Sequence, residues 1–462
     1  MRDRTETGIK NLERIRTQVD PIRHKAFAIR HFVSGQPVRL REGPAIRSSI
    51  VLGMLLISGC AWTEDDALHV ATSWSAIERA PFEVAYRRWN PSTPGRPAAI
   101  RWEVLAKGDD LVRVAERSRP PALILGGPSS SYDRLATQGR LLPDDTGKSW
   151  RVAKRSPLGL TVRRRGPSTP YAKGDAPAAP SRRLAFDDPR RDPVALDWAK
   201  AVLRSGTWAD GYSRLIRQAG GRVPPGRQVG ASLAALQRGE ADETPSVGSI
   251  SNVLDPFNRA SSFVAVTAWP EWVEGVAVVK GAAHAAIASA FLDHLTEIGQ
   301  VEPLPAALDT LPEADDLLAD LLGSSMVEAR DELRLAWQAL EEAGRPERAE
   351  MWMTQAPPWP PASVTTILAQ DANGMAMLET LAIQIAPEAD LRAWLVRSWL
   401  APGRLVDDQF LHELAIAAGG RLAREPRFRA WLRSEWTAWA RQRFRRVART
   451  AASLSRTSGA SS

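Results

Sequence analysis

Few residues of this chain stand where they could do covalent chemistry. The six histidines, His24, His31, His69, His284, His294 and His412, show neither metal-ligand nor triad spacing. His284 and His294 read onto one helix, but ten residues is roughly 15 Å of helical rise, too far to share a metal. The patterns Gly-x-Ser-x-Gly, His-Glu-x-x-His and Gly-x-x-x-x-Gly-Lys-Ser/Thr are absent. Acidic pairs such as Asp65-Asp66, Asp109-Asp110 and Asp315-Asp316 fall at expected helix starts, where they complement the helix dipole. The residue types that remain suit noncovalent binding. Ser73, Trp74 and Ser75 offer hydroxyls beside an indole, and Gly126-Gly127-Pro128-Ser129-Ser130-Ser131 joins close backbone approach to three hydroxyls. Asp187, Asp188, Thr244, Pro245 and Ser246 form two further polar groups. The chain reads as a binder and not an enzyme, with no cofactor and no metal expected.

These residues need elements to hold them. From Leu68 the chain alternates strand and helix patterns. Leu68–Ala71, Ala99–Val104 and Ala122–Leu125 read as strands, and Ser75–Trp89 as mainly helix, with Pro81 an expected break. Such order implies a parallel sheet covered on both faces. Residues 165–181, rich in Gly, Pro, Ser and Ala, read as an exposed insertion. The alternation resumes with a strand at Arg183–Phe186, and helices follow around Val194–Val202, Tyr212–Ala219 and Val229–Leu236. Thr244–Ser251 and Val273–Lys280 are strand-like, and Ile287, Phe291, Leu295 and Ile298 form a helical stripe. Two α/β lobes fit this order better than one.

The single cysteine carries a separate signal. Cys60 ends the run Ile50-Val51-Leu52-Gly53-Met54-Leu55-Leu56-Ile57-Ser58-Gly59. That run falls short of the about 20 residues that span a bilayer. It suits the apolar core of an export signal, with Arg41 and Arg47 as the basic flank. Ile57-Ser58-Gly59-Cys60 resembles the lipobox of bacterial lipoproteins, in which the cysteine receives a lipid and the chain is cleaved before it. The 59 preceding residues exceed the usual signal length, and residues 1–45 are mostly polar and basic. The expectation is an over-extended N-terminus over 1–59 and a short tether at 60–67.

Residues 68–300, within a domain expected over 68–304, resemble the type II periplasmic binding proteins that deliver solutes to ABC transporters, nearest the branch handling iron, molybdate-like anions and small organic solutes. Val70-Ala71-Thr72-Ser73-Trp74 looks like that family's first strand and ligand loop. Arg182–Pro189 looks like the opening of its second lobe, and Arg238-Gly239-Glu240-Ala241-Asp242 with Thr244-Pro245-Ser246 like its later ligand loop. Glu274–Gly281 and the helix after it resemble the crossing back to the first lobe. The resemblance implies a bilobal α/β fold that closes on a small-molecule solute and docks on a permease. In such a sheet, ligands sit beyond the carboxyl ends of the strands. Ligand contacts are therefore expected from Ser73, Trp74, Ser75, Gly127, Ser129 and Ser130 in one lobe, and from Asp187, Thr244, Pro245 and Ser246 in the other. Trp74, Trp269 or Trp272 could provide an apolar or stacking wall, with Trp269 and Trp272 expected more in core or lobe packing.

From about residue 305 the strand patterns end. Stripes such as Leu317, Leu318, Leu321, Leu322 and Leu333, Trp337, Leu340 predict an all-α domain over 305–462, with a core of its own and few essential contacts to the lobes. Ala356–Pro361 divides it. Residues 421–450 hold ten arginines against Glu425 and Glu435. The spacing of Phe428, Leu432, Trp436 and Trp439 favours packing of this helix over its lying on a membrane. A formal charge of +8 over 462 residues tolerates anionic partners without naming one, and export argues against nucleic acid. The rival reading keeps the same fold in a cell-envelope structural or interaction lipoprotein that transports nothing.

Overall fold

Alternate residues of a strand face opposite sides of its sheet, and a sheet buried on both sides needs apolar residues on each. The computed structural model describes residues 67–89, 97, 99–105, 111–163, 183–221, 225–248, 261–304, 311–370 and 373–459. Strands β1 (Ala67–Thr72), β2 (Ala99–Val104) and β3 (Leu123–Pro128) run parallel in the order β2-β1-β3. Leu68, Val70, Leu123 and Leu125 pack on one face with Phe82, Tyr86, Phe291 and Leu295. Ala71 and Ile124 pack on the other with Leu111, Tyr132 and Leu135. Helices α1 (Ala76–Arg88), α2 (Leu111–Ala115) and α3 (Ser129–Thr137) follow the three strands. Pro81 lies inside α1 without breaking it. A reciprocal capping box between Ser75 and Glu78 fixes the first turn, and Phe82, Ala85 and Tyr86 are buried beyond the proline.

Two long strands carry the chain between lobes. β4 (Arg151–Arg163) and β7 (Glu271–Val278) are antiparallel, and β7 sits between β3 and β4 in the first sheet. Beyond Pro157, β4 leaves β7 and pairs instead with β5 (Glu243–Val247) and β6 (Ser261–Ala265). Neither β4 nor β6 is legible as a strand in the sequence pattern. β4 changes sheets midway, so no single alternation runs its length. The second lobe adds α4 (Pro193–Arg204), α5 (Trp208–Gly220) and α6 (Ala231–Arg238), and α7 (Ala285–Glu297) returns to the first. Arg183–Phe186, expected as a strand, makes only an isolated bridge at Leu184 to Glu243. Residues 1–59, Cys60 and the 165–181 insertion lie outside the described residues.

The last third is helical as expected: α8 (Pro312–Leu322), a π-helical turn at Gly323–Glu328, then α9 (Arg330–Glu342), α10 (Glu347–Thr354), α11 (Ala362–Leu368), α12 (Gly374–Ile385), α13 (Ala389–Leu400), α14 (Asp408–Ile416), α15 (Arg421–Arg424) and α16 (Pro426–Gly459). Its core, however, is not its own. Phe186, Trp198, Tyr212, Leu215 and Ile216 of the second lobe belong to one continuous apolar cluster with Leu333, Trp337, Met353, Phe410, Trp436 and Phe444. Gly220, at the end of α5, marks the closeness of fit. A β-carbon there would stand 3.2 Å from Met353, 3.3 Å from Trp337 and 3.4 Å from Leu333. Helix stripes read from sequence show which residues are buried but not against what. α9 and α10 pack on α16 and also on α5 of the second lobe.

α16 packs by its apolar stripe. Phe428, Leu432, Trp436, Ala440, Phe444, Val447 and Ala451 recur every three or four residues, and all are buried. Its arginines meet acids on neighbouring helices. Arg429 reaches Asp320 at 2.7 Å and Asp316 at 3.2 Å, and Arg445 reaches Glu332 at 2.7 Å. Arg424, on α15 just before it, reaches Glu313 at 2.8 Å. Among the described residues, no helix is long and apolar enough to cross a membrane.

Candidate functional site

The carboxyl ends of β1 and β3 lie side by side, with Thr72 opposite Leu125. Beyond them Gly126 and Gly127 both adopt positive φ, 82° and 78°. A β-carbon on Gly126 would stand 2.7 Å from the Ser73 hydroxyl and 2.6 Å from the Trp74 ring, so only glycine lets the two loops meet. Ser73–Ser75 and Gly127–Ser130 are thus brought together as one rim. Ser73 is exposed, and Ser75, Gly127, Ser129 and Ser130 are half-buried. Pro128 precedes α3 and provides no side-chain cap, so Ser129, Ser130 and Ser131 open the helix with its first N–H groups.

Trp74 is placed deeper than its neighbours, at 5% exposure, edge-on to Phe82. Its indole Nε1 donates to Glu274 Oε2 at 3.2 Å. Glu274 lies on β7 opposite Pro128, level with the strand ends. Lys154, its partner on β4, donates to Glu78 Oε1 at 2.8 Å and lies 3.8 Å from Glu274. Glu78 in turn accepts from the Ser75 backbone and hydroxyl, at 3.1 and 2.9 Å. An ammonium group thus sits between two carboxylates where the crossing strands leave the first lobe. Burial pushes Glu274 above the usual carboxylate value, although Lys154 opposes it. Burial also acts to raise Glu78, but Lys154 and the bonds from Ser75 outweigh it and hold that carboxyl low. The Tyr132 hydroxyl, 2.7 Å from the carbonyls of both Gly126 and Gly275, fixes the end of β3 against β7.

Sequence reasoning missed Glu78, Lys154 and Glu274 as a group. Lys154 lies on β4, which no alternation marks, and Glu78 reads only as an acid in the first turn of a helix. Glu274 carries the one usable signal, since its charge is the sole exception in the otherwise uncharged Val273–Val279.

The second-lobe candidates are engaged differently. Asp187 is buried and accepts from the backbone of Gly230 at 2.6 Å and Ser232 at 2.8 Å, capping the start of α6. Asp188 is held by the fork of Arg190 at 2.6–3.1 Å, and Arg190 continues to Glu328 at 2.8 Å. Thr244, Pro245 and Ser246 lie along β5 beside β4. Ser246 Oγ accepts from Thr161 at 2.8 Å, while the buried Thr244 hydroxyl has no hydrogen-bond partner among the described residues. Trp272 packs on Leu158 and Val247, with Trp269 against them. Among the described residues, no group of His, Cys, Asp and Glu is placed to hold a metal ion. A separate groove of about 930 Å³ lies between α12 and α13, lined by Ala382, Ile383, Ala393, Val396 and Leu400.

The family model described as bacterial extracellular solute-binding protein matches residues 104–300. Among solved structures, the chain is similar to iron-bound HitA from Pseudomonas aeruginosa, at 17% identity over 53% of this chain and 87% of that one, with a TM-score of 0.39. It is similar also to the binding protein AfuA from Actinobacillus pleuropneumoniae with fructose-6-phosphate bound, at 14% identity over 51% and 80%, TM-score 0.39. The Azotobacter vinelandii molybdate-binding protein aligns at 16% identity over 55% and 97%, TM-score 0.35. No curated protein matches the chain. β7 is inserted between β3 and β4, β4 and β7 join the lobes, and the residues matched by the family model, 104–300, span the crossing strands but not the helices from α8 onward.

Proposed function

We propose that this chain is an extracytoplasmic, lipid-anchored solute-binding protein that captures a small solute between its lobes and presents it to an ABC transporter permease. The observation that carries the proposal is the convergence of two strand-end loops on the polar group Glu78, Lys154 and Glu274, where the crossing strands leave the first lobe. Rotation about β4 and β7 would bring the second lobe over that rim, and a solute touching both lobes would favour the closed form. Ser73, Ser75, Gly127, Ser129 and Ser130 would contact it from the first lobe, with Trp74 as the wall behind. Thr244, Pro245 and Ser246 would contact it from the second, and Asp187 would hold the facing loop. The sequence Ile57-Ser58-Gly59-Cys60 supports anchoring through a lipid on Cys60, at the periplasmic or outer cell surface.

A thermal-shift screen of the full chain across anions, metal chelates, sugars, amino acids and organic cations tests the binding reading. A true solute should raise the melting temperature in a dose-dependent way, and Lys154→Met should abolish that rise. Stabilisation that is indifferent to Lys154→Met and to Ser129→Ala would place the site elsewhere. Mass spectrometry of native protein should find an acylated Cys60 at the N-terminus; an unmodified chain retaining residues 1–45 would end the anchoring proposal.

A further inference from the structure

Helices α12 and α13 form a hairpin joined at Ala386–Glu388, with the groove of about 930 Å³ between them. A surface helix ordinarily turns a polar face to water. α12 departs from this, because it holds one charged residue, Glu379, and exposes Met375, Ala376, Met377 and Ile383. Among the described residues, four of the thirteen large apolar side chains left exposed are Met375, Met377, Ile383 and Leu400, so apolar surface is concentrated on this hairpin. Across the groove, Ala393, Val396 and Leu400 recur at the three-and-four spacing of a packing stripe. Leu391, Leu395 and Trp399 of the same helix already lie in the core, so α13 carries a second apolar face besides the one the core uses. The small side chains of Ala382 and Ala393 let another backbone come close. An apolar patch with a charged rim is the mark of an interaction site.

The charges on that rim say what occupies it. Glu379 on α12 and Arg397 on α13 both line the groove and are exposed, and neither pairs with a charged group among the described residues. Arg392, by contrast, donates to the Pro387 carbonyl at 2.6 Å. Glu379 lies eight residues before Pro387 and Arg397 ten after it, so the two stand at similar heights on the hairpin, roughly 12–15 Å from the connection. A two-fold interface must be self-complementary, each copy receiving what it offers. A two-fold axis along the groove would lay α12 of each copy on α13 of the other with heights preserved. Glu379 then meets Arg397 of the second copy, twice over, and Ile383 lies over the small Ala393. An acyl chain would use the apolar walls but leave the Glu379 carboxylate beside it without a counter-charge. We propose that this groove is filled by the same groove of a second copy, so that two chains associate through their α12–α13 hairpins as a four-helix contact. No residue of the candidate solute site takes part, so the association does not depend on solute.

Sedimentation equilibrium of the full chain is the test, in detergent-free buffer with a reducing agent so that Cys60 cannot join two copies. Between about 1 and 100 μM the mean mass should rise from one chain toward two. Ile383→Asp should hold it at one chain over that range and leave the melting temperature unchanged, since the side chain is 55% exposed. Glu379→Arg and Arg397→Glu should each weaken association about tenfold, by setting like charges together. The two changes combined should restore it, because both pairs are then reversed. If Ile383→Asp does not fold, the charge exchange decides alone. A single chain at the highest concentration, a dimer indifferent to Ile383→Asp, or a double variant no better than either single one would overturn the proposal. So would a lipid found in the groove of a monomer.

Discussion

Removing residues 305–462 should cost the second lobe its fold, because the helices complete its core. α5 buries Tyr212, Leu215, Ile216 and Ala219, each at 3% exposure or less, within a cluster that includes Leu333, Trp337 and Met353. Truncation would strip one side of that packing. Exposing only three large side chains, at about 1.5–3 kcal/mol each, removes roughly 5–9 kcal/mol. That is comparable to the whole stability of an ordinary domain, about 5–15 kcal/mol. The same cut leaves Lys200 without Asp315, 2.8 Å away, and Arg190 without Glu328. A chain ending at Leu304 should therefore be insoluble, or soluble with dye-binding apolar surface and no sharp melt. A milder probe of the same contact is Gly220→Leu in the full chain, which should overpack Met353, Trp337 and Leu333 and cost about 1–3 kcal/mol. The assays are soluble yield, near-UV circular dichroism and thermal melting. A truncated chain that melts cooperatively within a few degrees of the full protein would refute the shared core and restore two independent domains.

Trp74→Ala should cost about 3–5 kcal/mol in chemical denaturation, since the ring is buried against Phe82; an unchanged midpoint would mean the indole is not packed as described. Glu274→Gln should gain stability relative to the native chain as pH rises. With its folded value above its unfolded one, Glu274 binds its proton more tightly when folded, so its contribution is full below the unfolded value and lost as pH climbs through the folded one. Melts at pH 4.5 and 7 should show the difference between variant and native growing; a constant difference would reject the shift. Asp320→Asn should destabilise by about 2–3 kcal/mol, because a nearly inaccessible carboxylate that accepts from Arg429 is lost. A loss under about 0.5 kcal/mol in urea unfolding would class that pair with ordinary surface salt bridges.

The first lobe is open to reading because its strands are short, apolar and continuous. Leu68–Ala71 and Ala122–Leu125 stand out, and the loops after them follow from strand order. β4 is hidden for a physical reason. Its first half is bound in one sheet and its second half in another, so Arg155 and Pro157 interrupt what a period-two search would accept. With β4 goes Lys154, and with Lys154 the polar group at the crossing. Asp315 and Asp316 show a different limit. Their place in the first turns of α8 agrees with a dipole role, but Asp315 meets Lys200 of the second lobe, and Asp316 meets Arg134 of the first and Arg429 of α16. Pairings over such sequence distances are fixed by the tertiary fold, and no local pattern encodes them. The α16 stripe lies at the opposite extreme. A spacing of three and four marks its buried face at Phe428, Leu432 and Trp436, and its arginines take the acids that the other helices present.

The helical region changes what lobe closure can mean in this protein. In a two-lobed binding fold, the crossing strands are the natural hinge, and each lobe turns as a body about them. Here the second lobe and the helices share one core, so the turning body includes α16 and everything packed on it. α8 also touches the first lobe, through the ion pair of Asp316 with Arg134 on α3. That contact lies on the helix whose first residues, Ser129 and Ser130, form part of the candidate rim. Closure must therefore either keep the Arg134–Asp316 pair and pivot near it, or break it. Arg134 is 35% exposed at its side chain and Asp316 25%, so breaking it exchanges a partly hydrated pair for water at a modest cost, on the order of 1 kcal/mol. A solute bound as proposed would need to supply only that much more from its contacts with both lobes. Under the proposed closure, the pair is weak enough to release on binding and placed where it would bias the unliganded protein toward one lobe angle.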